Sequence, residues 1–362
     1  MTLQEIAKRA RVSVATVSRI INRTPNVDPS LARRVRKVIE QVGYYPNTHA
    51  RALVSGRSRI FGLMVSENIG PFFPEIVRTF ENLGFEHKYE TFLSSIARDM
   101  RWMEDAVRRM IERRVEGVAI LSFETETTLI EFFRRQDLPI VVLDIESPGP
   151  RLKTVRIDYK HGTRLAVQHL AALGHVRIAL ITGPARLRSA VARKVAFQEC
   201  MEEISLEVRP HLLVDGDHTA EAGMKALSVL AALPDRPSAV LCSNDITAVG
   251  VMRGACQLGL NIPRDLSIVG FDDNQIAQFA TPPLTTVQVS YVEIANVAFK
   301  ALLDSVEVQC NGSSCEVCDI RSNLILRYST ALAQGRLKEA VARKHGYEQA
   351  GTAELDSCLH RT

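Results

Sequence analysis

Leu3, Ile6, Ala7 and Ala10 recur at i, i+3, i+4 and i+7, the single apolar stripe of a short helix. Thr2 followed three residues later by Glu5 marks its start as a capping box. Ser13 is a good N-cap for a second short helix, in which Val17, Ile20 and Ile21 form the inward face. That leaves Val14, Ala15, Ser18, Arg19 and Asn22 on or near the other face, where all are small or able to hydrogen-bond. Asp28-Pro29, an N-cap followed by proline, opens a third helix. Its stripe is Leu31, Val35, Val38, Ile39 and Val42, and Gly43 ends it. Residues 1–45 thus predict a minimal three-helix core.

Two short helices joined by a tight turn form the pattern of a helix-turn-helix DNA reader. A small-residue start lets the second helix enter the major groove. Arg19 and Asn22 suit base edges, and Ser13, Thr16 and Ser18 suit phosphate oxygens. Two ordinary amphipathic helices would show the same periodicity, so charge matters here. Residues 1–59 hold twelve Lys/Arg against three Asp/Glu, a net +9 in a chain of net +4, and the remainder carries −5. A basic head on a mildly acidic body is the electrostatic footprint of a nucleic-acid binder.

Pro46 breaks the helical pattern, and Asn47 can cap a brief segment, Thr48 to Ser55, with Leu53 as its one large apolar side chain. So short a helix is marginal alone. The segment reads either as a hinge that folds on a partner or as an exposed linker.

From Ile60 onward the period changes. Short apolar runs at Ile60–Val65, Val118–Leu121, Ile140–Leu143, Ile178–Ile181, Ala239–Leu241 and Leu266–Val269 alternate with helical stretches such as Pro74–Leu83 and Met100–Arg113. The alternation predicts doubly wound parallel sheets covered on both faces. The length is too great for one sheet, so two similar lobes are expected. In such sheets ligands lie beyond the carboxyl ends of the strands. Ser66, Glu67 and Asn68, then Asp144, Asn244-Asp245 and Asp272-Asp273, follow the predicted strands. Each side chain could merely cap the next helix. Gathered together, with Arg193 as a bidentate donor, they suit a hydroxyl-rich small molecule.

No nucleotide-binding glycine motif, metalloprotease motif or nucleophile elbow occurs, so no enzyme activity is expected. Cys310, Cys315 and Cys318 have a C-x4-C-x2-C spacing that resembles part of an iron–sulfur motif. Reduced thiols in a loop are the reading adopted, and no cofactor or metal is expected. The chain has no long apolar run and its amino end lacks a signal peptide's apolar centre, so a cytoplasmic protein without membrane contact is expected.

The order of parts resembles the lactose/galactose repressor (LacI) family over about residues 2–330. The carriers are VSVATVSRIIN (Val12–Asn22), GYYPN (Gly43–Asn47), ARAL (Ala50–Leu53), HLAALGH (His169–His175), SND (Ser243–Asp245), SIVGFDD (Ser267–Asp273) and PPLTT (Pro282–Thr286). The resemblance implies a transcriptional regulator, most simply a repressor. It would bind a pseudo-palindromic operator in double-stranded DNA as a homodimer, under allosteric control by a small effector such as a sugar or sugar derivative. It implies that Val14 and Ala15 discriminate operators, that Arg19 contacts a base, and that Leu53 wedges into the minor groove. Tyr44, Asn47 and Ala50 match further DNA contacts. Ser66, Asp144, Arg193, Asn244 and Asp272 fall on or near effector positions, with His218 and Tyr291 where stacking residues often lie. The implied fold is an all-α helix-turn-helix head plus an α/β periplasmic-binding-protein-like body of two doubly wound parallel-sheet lobes. The head would span 1–45, the hinge 46–58 and the body 59–330. Lobe 1 would hold about 59–158 and 291–320, and lobe 2 about 159–290 and 321–330. A charged tail, 331–362, lacks a leucine heptad. Two departures stand out: Arg11 occupies a turn position commonly filled by glycine, and His218 replaces a ring that often stacks on sugars.

Overall fold

The structure is a computed structural model, and it describes residues 2–21, 27–44, 56–66, 73–96, 100–122, 127–145, 151–307 and 317–334. The chain divides into two compact units at Arg59.

The amino-terminal unit contains α1 (Leu3–Ala10), α2 (Val14–Ile21) and α3 (Pro29–Val42). The capping box forms as read: Thr2 N–H donates to Glu5 Oε2 at 2.8 Å and Glu5 N–H to Thr2 Oγ1 at 3.3 Å. Arg11 takes the left-handed turn conformation (φ 50°), at a cost of about 1 kcal/mol for a non-glycine residue. Asp28 caps α3, accepting from the Ser30 and Leu31 amides at 2.8 and 3.0 Å. The hydrogen bond from the Ser30 hydroxyl, with those amides, holds its carboxyl below the usual range. Ile6, Ala7, Ala10, Val17, Ile20 and Val35 form the buried core of the unit. The predicted segment Thr48–Ser55 lies outside the described residues.

The second unit is built on two six-stranded sheets. The first contains β1 (Ile60–Ser66), β2 (Glu90–Ile96), β3 (Gly117–Leu121), β4 (Ile140–Leu143) and β5 (Leu152–Asp158). The second contains β6 (Ile178–Ile181), β7 (Leu213–Val214), β8 (Ala239–Cys242), β9 (Ser267–Asp272) and β10 (Thr285–Gln288). The chain then returns to the first sheet with β11 (Val317–Arg321) and to the second with β12 (Asn323–Ile325). The spatial orders are β11-β5-β4-β3-β1-β2 and β12-β10-β9-β8-β6-β7. The expected doubly wound parallel-sheet lobes form, and among the described strands every ladder is parallel except β10 with β12. The six apolar runs read from the sequence are β1, β3, β4, β6, β8 and β9, and in the last five every residue is buried.

β5 and β10 lack an apolar signature because their polar residues are satisfied by tertiary partners. In β5, Lys153 is buried with its ammonium on the Ala301 carbonyl at 3.2 Å. In β10, Thr285 and Thr286 are fully buried, and the Thr286 hydroxyl donates to Asp245 Oδ1 at 2.5 Å. Helix Tyr291–Glu307 packs on helix Phe73–His87 and on the first sheet, so lobe 1 takes a late piece of chain. Phe299 meets Phe80 edge-on there, at 5.1 Å between centroids. Among the described residues no helix is long and apolar enough to cross a membrane.

Candidate functional site

In the amino-terminal unit α2 presents a working face. Val17 and Ile20 anchor it in the core, leaving Ser13, Val14, Ala15 and Arg19 exposed, with Thr16 and Ser18 half-buried. The Ser13 hydroxyl accepts from the Thr16 amide at 3.1 Å, so it caps the helix as well as lying on this face. Helix amino-termini and short hydroxyl side chains suit phosphate, and an exposed arginine one turn on suits a base edge. Tyr44 follows the left-handed Gly43 cap and packs half-buried against the core. Asn22, Asn47, Ala50 and Leu53 lie outside the described residues.

In the body, the strand ends converge on Arg193. This side chain rises from helix Arg188–Glu203 and is buried to 5% exposure. Its guanidinium lies 4.0 Å from the Phe271 ring centroid and 5.1 Å from that of Tyr159. One terminal nitrogen donates to the Ser243 carbonyl and the other to Asp272 Oδ1 at 2.9 Å. Its Nε is buried and finds no acceptor among the described residues.

Burial pushes the Asp272 carboxyl up to about 6, against the lowering pull of Arg193. The folded value therefore lies above the unfolded 3.8, and the folded chain binds the extra proton between those two values. Asp272 thus makes stability fall as pH rises from about 4 to about 6. Asp272→Asn is expected to remove that slope, measured by urea unfolding across the same window.

Asp144 ends β4 with φ 54° and accepts from the Ile157 amide at 2.9 Å and from the Tyr159 hydroxyl. Burial raises its pKa, and burial likewise raises that of Tyr159. The Asp144 carboxylate thereby ties lobe 1 to the crossover into lobe 2. His218, at φ 69°, bonds Ser243 Oγ through Nε2 at 3.0 Å. Burial, helped by the Arg193 charge, lowers it to about 3, so the ring is neutral at physiological pH. Gly183 is required beside it, because a Cβ there would overlap the imidazole. An imidazole NMR titration is expected to show His218 still neutral at pH 5.

Asn244 caps helix Asp245–Gln257 through the Thr247 amide at 2.9 Å and donates Nδ2 to the His218 carbonyl at 3.4 Å. Tyr291 is buried at the start of its helix, and Ser66 closes β1.

Arg193, Asp272, Ser243, His218 and Asn244 are thus brought together by direct contacts, with Asp144 joined through Tyr159. Tyr159, Phe271 and Ser243, which hold Arg193, are not among the residues the sequence nominates, nor is Arg327, which pairs with Asp273; Asp245 and Asp273 are among its strand-end candidates and brace the Asp272 corner. Asp273 pairs with Arg327 at 2.6 Å, and Asp245 accepts from the Asn274 amide at 2.8 Å. Only the SND and FDD clusters signalled any of them in advance. Cys310 and Cys315 lie outside the described residues, and among those described no group of three metal-ligating side chains converges.

An exposed small-residue helix face on a basic head, with a buried arginine–carboxylate cluster at the strand ends of a two-lobed body, is the arrangement of a ligand-responsive DNA-binding protein. Residues 2–47 match the lacI family of bacterial regulatory proteins, and residues 167–330 match a periplasmic binding protein-like domain. The chain is 33% identical to the HTH-type transcriptional repressor CytR of Escherichia coli K12 over 329 residues, covering 91% of this chain and 96% of that protein. It is 33% identical to catabolite control protein A of Priestia megaterium over 304 residues, covering 83% and 91%. It resembles the structure of the lac repressor dimer bound to operator and the anti-inducer ONPF, with a TM-score of 0.81 and 26% identity over 91% of this chain and 99% of that one. The chain belongs to the LacI family and is a DNA-binding transcriptional regulator.

Proposed function

We propose that the chain is a repressor acting as a homodimer on a pseudo-palindromic operator, with a small effector in the cleft setting operator affinity. The observation that carries this reading is the α2 face: Val14, Ala15 and Arg19 point away from a core that Val17 and Ile20 fill. Val14, Ala15, Arg19 and Asn22 read bases, while Ser13, Thr16, Ser18 and Tyr44 hold the backbone. In the hinge, 46–58, Leu53 wedges into the minor groove, and Asn47 and Ala50 make further DNA contacts. In the body, Ser66, Asp144, Arg193, His218, Asn244, Asp272 and Tyr291 contact the effector, a hydroxyl-rich molecule such as a sugar or sugar derivative. The solved relatives include a cellobiose complex of the regulator CelR, 28% identical to this chain. Exposed Phe279 (76%) and Tyr328 (73%) leave apolar surface on lobe 2 for a second copy.

Effector binding changes the angle between the lobes and so the spacing of the two hinges in the dimer. With 46–58 read as a hinge that folds on DNA, a small shift changes affinity by the free energy of that folding. The test is a titration of promoter fragments against random duplex, with and without sugars, sugar phosphates and nucleobases. Preference for one fragment, modulated by one compound, is expected. Uniform binding to all DNA would overturn the proposal. Leu53→Ala is expected to weaken operator binding more than random-duplex binding, and equal loss on both would remove the wedge.

A further inference from the structure

We propose that lobe 2 carries a second ligand site, separate from the cleft, for an organic anion with an apolar body. A cavity of 410 Å³ lies among the residues that immediately precede β6, β8 and β9. It is therefore at the opposite end of these strands from Asp272 and Ser243. Its size falls within the roughly 300–1,000 Å³ of small-molecule pockets.

Arg177, Arg236 and Arg264 line the cavity, and no carboxylate lies within 4.0 Å of any of their nitrogens among the described residues. The one carboxylate in the lining, Asp265, is already engaged. It accepts from the Asn261 amide at 2.8 Å, from Asn261 Nδ2 at 3.1 Å and from Gln334 Nε2 at 3.2 Å. His175 adds no charge: burial lowers its pKa, and its ring nitrogens bond Ser238 Oγ at 2.9 Å and the Ala331 carbonyl at 3.0 Å. The Asn261 bonds, with the Arg264 and Arg236 charges, lower the Asp265 pKa, so three cations share one anion and the lining keeps a positive excess. Arg177 spends its Nε on the Arg236 carbonyl at 3.1 Å, which orients the guanidinium and leaves its terminal nitrogens to donate elsewhere.

Planar guanidinium groups match carboxylate and phosphate oxygens in bidentate geometry. Leu227, Leu230 and Leu266 form a buried apolar wall of the same cavity, which a bare inorganic anion would not cover. The arginines and the leucines together select a carboxylate or phosphate ester on an aromatic or aliphatic body.

Isothermal titration of the full chain with phenyl phosphate, benzoate and inorganic phosphate tests this. Phenyl phosphate or benzoate is expected to bind at least tenfold more tightly than inorganic phosphate, and which of the two wins identifies the head group. Arg236 and Arg264 are exposed, so the double variant Arg236→Ala/Arg264→Ala is expected to melt as the parent does and to bind the probe at least tenfold more weakly. A double variant that binds like the parent would overturn the proposal. So would heat that vanishes with the stability-compensated Arg193→Met/Asp272→Leu instead, which would place the probe at the Arg193 cluster. Failure of both organic anions to bind at millimolar concentration would also overturn it.

Discussion

Replacing Arg193 with alanine is expected to abolish the response of operator affinity to the effector while the head still binds operator. Arg193 is the hub of the proposed effector site: it stacks on Phe271, holds Asp272 at 2.9 Å and has a buried Nε with no acceptor among the described residues. The body will also lose stability, because removing one partner of a buried ion pair leaves the other charge uncompensated, a loss of about 3–5 kcal/mol. Asp272, already lifted to about 6 by burial, would then rise further and take up a proton near neutrality. The double variant Arg193→Met/Asp272→Leu separates the two effects: it is expected to recover much of the melting temperature and none of the response. The readout is operator binding by fluorescence anisotropy with and without the compound found in the metabolite screen. An unchanged response in Arg193→Ala would remove this residue from the effector site.

Arg19→Ala should act in the amino-terminal unit and on a different quantity. Loss of a base-edge contact costs about 1–3 kcal/mol, so operator affinity is expected to fall roughly ten- to a hundredfold. Binding to random duplex rests on the summed basic charge of the head, +9 over residues 1–59, and should fall only slightly. Arg19 is exposed on α2 and lies outside the core formed by Ile6, Val17 and Val35, so the head should remain folded. Equal losses on operator and random DNA would make Arg19 a phosphate contact instead.

The legible parts of the chain were those whose physics is local. The capping box at Thr2 and Glu5, the Asp28-Pro29 start and the Gly43 stop all formed where the pattern put them. The central strands were equally plain, since a strand buried on both faces must be apolar throughout. Edge and crossover strands were hidden for the converse reason. β2 lies at a sheet edge, has no fully buried residue and carries the adjacent polar pair Ser94-Ser95, while β12 has three residues and pairs antiparallel with β10.

Periodicity, caps and charge distribution were enough to read three helices, the alternating body and the basic head, because each depends on neighbours within a few positions. The partners of Arg193 belong to the tertiary structure alone. Asp272 is 79 residues away and Ser243 is 50. Tyr159 joins Asp144 only because the chain crosses between lobes there. No local pattern encodes such meetings, and burial sets the charge states at them: His218 near 3 and Asp272 near 6 are consequences of what the fold excludes, namely water.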